Sequence, residues 1–281
     1  MAQRAFRIAY DGTGYHGFQR QPDVSTVEDA VFDALRALEV LAPETDKPAA
    51  YAAAGRTDAG VSALAQTVAF DAPAWLTPRA FNADLPADIR AWAAADAPES
   101  FHATHDATRR EYTYHLYAPS VADSSGSGGE HAVDDDRFRA ACKALSGTRD
   151  FHNLTPDDHN TERSPTLEAT RDGDYLVVRV TADGFARELV RRLVSLARAV
   201  GTGEGSRSKI DRAFEAEPLP GHEGIAPAPP EPLVLTAVEY PSLEFETDES
   251  AAETARSIFE RYRRDRQTGA RVASQLADGL E

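Results

Sequence analysis

Asp58 lies in the run Gly55-Arg56-Thr57-Asp58-Ala59-Gly60, a glycine-bounded turn between two apolar stretches. An aspartate before Ala-Gly between strands is ordinary turn material, because its short side chain bonds its own backbone. Its neighbourhood adds a chemical reading. In an extended chain residues i and i+2 share a face, which predicts Arg56 beside Asp58. A neighbouring guanidinium lowers a carboxylate's pKa and holds it by paired hydrogen bonds, which suits a nucleophile ionised at neutral pH.

Other residues could also do chemistry. Tyr112 shares a strand face with Tyr114 and Leu116, the pattern of a core aromatic, and follows Arg109 and Arg110, which read either as exposed edge charges or as phosphate contacts. After Phe185, about 100° per residue puts Leu189, Leu193, Leu196 and Val200 on one helical arc and Arg187, Arg191 and Arg198 on another, a basic stripe on an amphipathic helix. His102 and His105 have no suitably spaced third metal ligand. Asp157-Asp158-His159-Asn160 lacks the glycine and distal glutamate of a calcium loop. Gly201-Thr202-Gly203-Glu204-Gly205 follows a helix and lacks a Gly-Lys-Ser/Thr ending, so it reads as a helix stop.

Five segments stand out in order: YDGTGYHGFQRQPDVSTVEDAV (residues 10–31), GRTDAGVSALAQTVAFD (55–71), FHATHDATRREYTYHLY (101–117), GFARELVRRLVSLARAVGTG (184–203) and APAPPEPLVLTAVEYP (226–241). Together they resemble the tRNA pseudouridine synthases of the TruA family. The resemblance implies isomerisation of uridine to pseudouridine at positions 38 to 40 of the tRNA anticodon arm, with no cofactor and a homodimer spanned by tRNA. It makes Asp58 the catalytic carboxylate and Tyr112 the tyrosine that stacks on uracil. Arg191 becomes an active-site arginine expected to pair with Asp58, and Arg56 a substrate contact. Arg109, Arg110 and Arg187 are further candidate RNA contacts, and Gly60 would let RNA backbone approach closely. Ser62 stands where bacterial relatives usually carry histidine, and Arg187 and Glu188 replace residues that are often histidine. Two rival readings are a glycosidase-like hydrolase, for which no second carboxylate stands out, and a tRNA-binding module without activity.

The implied fold is α/β (α+β), two ferredoxin-like halves whose antiparallel sheets join around a central catalytic cleft. Periodicity is compatible with it. Strands are expected at 5–10, 50–54, 67–70, 89–93, 111–117, 166–171, 175–182 and 233–240, and helices after Thr26, at 78–82, 137–145, 185–200 and 208–215. A Ser/Gly/Asp-rich stretch, residues 120–136, reads as a linker between an N-terminal half (1–119) and a C-terminal half (137–245). The charged tail, 246–281, is helix-compatible over 250–266.

Composition bounds the rest. The chain has 281 residues and 42% apolar content, with no run approaching a membrane span. The start of the chain runs straight into a strand pattern, which predicts a cytoplasmic protein. One cysteine, Cys142, excludes an intrachain disulfide and reads as a small core residue. The net charge of −16 opposes RNA binding at first sight. Only three of the 30 basic residues are lysine, so positive charge is carried by arginine, the better fork for phosphate. The acidic excess reads as adaptation to high salt, where ions screen its self-repulsion. Stepwise removal of KCl should therefore unfold the protein, followed by circular dichroism; an unchanged spectrum in dilute buffer would refute the adaptation.

Overall fold

The computed structural model describes residues 1–120 and 132–280. The middle of the expected linker, residues 121–131, lies outside the described residues, and its expected end falls within a helix. Asp134 caps that helix, accepting from Arg137 N, so Asp135 and Asp136 form its first turn.

Period-two alternation in the first residues yields β1 (Ala2–Tyr10), whose Phe6, Ile8 and Tyr10 are buried. Thr26 then starts α1 (Val27–Ala37) with a capping box. Its side chain accepts from Asp29 N at 3.2 Å, and the Asp29 carboxylate accepts from Thr26 N at 3.2 Å. The apolar face of α1, including Val31, Phe32 and Leu35, is buried in the core. β2 (Ala52–Ala53), β3 (Ser62–Ala72), α2 (Pro78–Phe81), β4 (Ile89–Asp96) and β5 (Arg109–Tyr117) follow. The second half comprises α3 (Asp135–Leu145), the short pair β6 (Arg149–Asp150) and β7 (Glu162–Arg163), the hairpin β8 (Thr166–Asp172) and β9 (Tyr175–Ala182), α4 (Leu189–Thr202), α5 (Arg207–Ala213) and β10 (Leu233–Glu239). The tail returns as β11 (Glu246–Thr247) and α6 (Glu249–Asp278). Cys142 is buried in α3, where desolvation pushes its thiol up to about 12.

Among the described residues one mixed α/β sheet of nine strands runs β11-β4-β1-β3-β10-β5-β9-β8, with β2 also on β3. All pairings are antiparallel except β3 with β10, which meet in parallel only at Ser62–Val234 and Ala63–Leu235. This short seam joins two four-stranded groups. β5 pairs with β10 and β9, so it lies in the second group although it precedes the linker. β11 and α6 return to the first group beside β4. No described helix is long and apolar enough to cross a membrane.

Two helices start later or run further than their patterns suggest. The helix expected from Phe185 begins at Leu189, because Glu188 takes a left-handed conformation (φ 60°) that breaks the turn before it. The helix in the tail extends twelve residues beyond the expected Arg266, to Asp278, capped at its start by Asp248. Thr26→Ala should cost about 1 kcal/mol by removing the α1 cap, measured as a lowered midpoint in urea at constant salt.

Candidate active site

Asp58 sits on the loop between β2 and β3, just before the parallel seam at Ser62 and Ala63. That loop is pinned along its length. Ala54 N donates to Thr67 O (2.8 Å), Gln66 Nε2 donates to Gly55 O (2.9 Å), and Phe18 N donates to Thr57 O (3.1 Å). The Thr57 hydroxyl shares a 2.8 Å hydrogen bond with the buried Tyr10 hydroxyl, and Gly60 N donates to Tyr15 O at 3.2 Å. Gly17, at φ +93°, must be glycine to pass this close, since a Cβ would lie 2.9 Å from Thr57 O. Gly60 also has positive φ (+82°), and a Cβ there would meet Pro230 at 2.9 Å. The protein's own packing therefore already favours glycine there.

The carboxylate's partner is Arg191. Its Nε donates to Asp58 Oδ2 at 3.1 Å, while another nitrogen donates to Ala228 O at 3.0 Å and a third lies 3.8 Å from Glu188. Arg191 stands in the first turn of α4, so the pair bridges the N-terminal loop to a C-terminal helix. It is buried, and so is not part of an exposed basic stripe. The expected Arg56–Asp58 pairing is absent. Residues 55–58 are loop and not strand, so the i, i+2 rule does not apply. Arg56 is exposed, lines the cleft and has no hydrogen-bond or ion-pair partner among the described residues. The expected lowering of the Asp58 pKa is also reversed. Burial pushes it above the usual carboxylate value, and the Arg191 charge and hydrogen bond offset this only in part.

Tyr112 lines the same cleft. It projects from the buried face of β5 and meets Phe185 edge-to-face at 5.3 Å between centroids. Its hydroxyl has no hydrogen-bond partner among the described residues, and desolvation pushes its pKa up to about 12. Asp58, Tyr112, Phe185, Arg56, Arg187 and Arg191 line one cleft of about 1580 Å³, roomy enough for a nucleotide turned out of its stack.

Three further arginines part company. Arg187 lies at the cleft rim, largely exposed, 3.4 Å from Asp157. Arg110 is buried and spends its guanidinium on backbone carbonyls: Ala54 O (2.7 Å), Thr104 O (2.7 Å) and Asp183 O. It ties the Asp58 loop to the second half and leaves no fork for phosphate. Arg109 points to the other sheet face, pairing with Glu239 (2.9 Å) and Glu111 (3.4 Å), away from the cleft. Strand alternation separates Arg109 from Tyr112, so it does not line the cleft.

Several contributors were not anticipated. Phe185 was visible only as a helix residue. Gln66, fully buried beside Thr67 in a mostly apolar strand, was a polar exception that could have flagged the loop anchor. His102 and His105 stack at 4.2 Å on the cleft wall. Among the described residues no group of three or more His, Cys, Asp or Glu is placed to hold a metal.

Comparison with known proteins fits this geometry. A family model described as tRNA pseudouridine synthase matches residues 141–241. The tRNA pseudouridine synthase A of Haloarcula marismortui is 59% identical over 99% of this chain and 100% of its own length. The chain belongs to the tRNA pseudouridine synthase A family. The same enzyme from Natronomonas pharaonis is 58% identical over 98% of both chains, and that of Methanocella arvoryzae 36% identical over 89% of both. The high identity to haloarchaeal tRNA pseudouridine synthase A fits the acidic composition.

Because the folded protein holds the Asp58 proton more tightly than the unfolded chain, ionising it costs stability. That cost sets in as pH rises past the ordinary carboxylate value and is complete above the folded one. Arg191→Gln removes the offsetting charge, so Asp58 should titrate at still higher pH, read by carboxyl carbon NMR. An unmoved or lowered titration would break the assigned pairing.

Proposed function

We propose that this chain isomerises uridine to pseudouridine at positions 38 to 40 of the tRNA anticodon arm, in the cytoplasm and as a homodimer, with Asp58 as the catalytic carboxylate. The observation that carries the reading is that the Asp58–Arg191 pair and the Tyr112–Phe185 aromatic pair line one cleft.

The reaction breaks the N1–C1′ bond, turns the uracil and joins C5 to C1′; the C5 proton leaves and N1 gains one. Asp58 assists by attack or by proton transfer at the sugar, and Arg191 holds it ionised in a site whose burial favours the neutral acid. Partial desolvation makes the carboxylate more basic and so a better donor of electrons to the nucleotide. Tyr112 stacks on the uracil, and its unengaged hydroxyl is available to take the C5 proton directly or through one water. Arg56, exposed and without a counter-ion, meets phosphate as the nucleotide leaves its stack, with Arg187 as a second contact at the rim. Arg110 acts by positioning the loop. No step calls for a cofactor.

Tritium release from tRNA carrying C5-labelled uridine tests this. Asp58→Ala should lower release by at least about 10³-fold while tRNA binding persists, and cytidine at positions 38 to 40 should remove the labelled product. Abasic sites from the parent enzyme would point to hydrolysis, and binding with neither outcome to an inactive module.

A further inference from the structure

The distal half of α6 stands apart from the body. It starts beside the middle of β4, where Asp248 N donates to Trp92 O, and runs along that strand until Arg266 reaches Asp11. Asp11 follows the end of β1, and Tyr10 pairs with Ala63 of β3 and Ile89 of β4. This is the sheet end that carries the Asp58 loop. Every residue from 263 to 280 is exposed, and at about 1.5 Å per residue the helix continues some 18 Å past Arg266. A free-standing segment of this length is marginal in water unless something packs on it.

Its charge says what would. Residues 261–278 hold five arginines and two aspartates, a net +3 in a chain of −16. At about 100° per residue, Tyr262 and Arg266 face the body, whereas Arg261, Arg264, Thr268, Arg271 and Gln275 share an outward arc free of carboxylates. Most arginines of this protein are engaged by carboxylates or carbonyls. The guanidinium groups of Arg264 and Arg271 have no partner among the described residues, and that of Arg261 meets only the Tyr262 ring.

We propose that the distal half of α6 is an RNA-contacting arm whose outward arginines, Arg261, Arg264 and Arg271, grip the tRNA phosphate backbone outside the catalytic cleft. The arm projects past the end of the sheet from which the Asp58 loop presents the cleft, so an RNA seated there meets it without any domain motion. The stripe contains guanidinium donors suited to phosphate, so its contribution should appear as a salt dependence of binding. The competing occupant, a second copy of this chain, would use the exposed Val272 and Leu276 on a neighbouring arc, a smaller apolar surface than a stable dimer needs.

The test compares R261Q/R264Q/R271Q with V272S/L276S in the full chain, using unmodified tRNA over a KCl series. Circular dichroism checks that the helix is kept. The arginine variant should raise the tRNA KM about tenfold, leave kcat within about twofold, and flatten the slope of log affinity against log salt by about two to three, one unit or slightly less for each phosphate no longer gripped. Lysine at the three positions should restore the slope. The apolar variant should leave KM and slope unchanged. The proposal is overturned if the arginine variant keeps the parent KM and salt slope. It is equally overturned if sedimentation shows that its weaker binding follows loss of self-association, or if the apolar variant weakens binding as much.

Discussion

Asp58 and Arg191 are separated by 133 residues and meet at 3.1 Å, and most of the polar architecture around the cleft serves to make that contact possible. A partly buried carboxylate is costly unless paired, and a buried guanidinium more so. Each needs the other, yet each is held by a different half of the molecule. The Asp58 loop hangs from β2 and β3, and Arg191 from the first turn of α4. Between the two strand groups the backbone seam is only two residue pairs long, at Ser62–Val234 and Ala63–Leu235. So short a seam restrains the two groups over few residues. It also leaves side chains to fix the distance across it.

Arg110 is the side chain that does so most directly. Its donors reach Ala54 beside the loop, Thr104 before β5 and Asp183 after β9, so one rigid fork spans three segments. A lysine, with a single ammonium, could not hold three carbonyls in that geometry. The Tyr10–Thr57 and Gln66–Gly55 bonds complete the restraint from below. These groups sit in the core at the cost of desolvation, and every one shown here is satisfied. The charge left imperfectly compensated is Asp58 itself, whose burial outweighs its partner. A carboxylate more basic than usual is what a group that gives electrons to a nucleotide requires.

Much of the fold was legible because it is local. The Thr26–Asp29 capping box, the β8–β9 hairpin around Gly173 and the stop at Gly203 follow from neighbours in the chain. Asp58 was legible through the motif in which it sits. Its partner was not legible from spacing, because contact across 133 residues leaves no periodic trace; only the family resemblance pointed to Arg191. Arg56 was misplaced beside Asp58 because strand geometry was extended into a loop. Arg109 and Arg110 were grouped although adjacent strand residues face opposite ways, a rule available at the outset. The insertion of β10 between β3 and β5 is a global pairing that no local pattern encodes, and the last twelve residues of α6 are all exposed, so no buried face marked them in the sequence.

The acidic net charge and an RNA substrate are reconciled by distance. The charge of −16 is a sum over the whole surface, but a phosphate responds only to charges within a few Debye lengths. At molar salt that length is about 3 Å, against about 30 Å in dilute buffer. Under strong screening the remote carboxylates drop out and direct contacts remain, so the relevant inventory is the groups that touch. Around the cleft these include Arg56, which has no counter-ion among the described residues, and an aromatic pair whose stacking does not depend on ionic strength. An acidic exterior therefore does not oppose the reaction so long as the few cations that meet phosphate are arginines with open forks. That is also the condition under which almost all positive charge would be placed on arginine, leaving only three lysines in the chain.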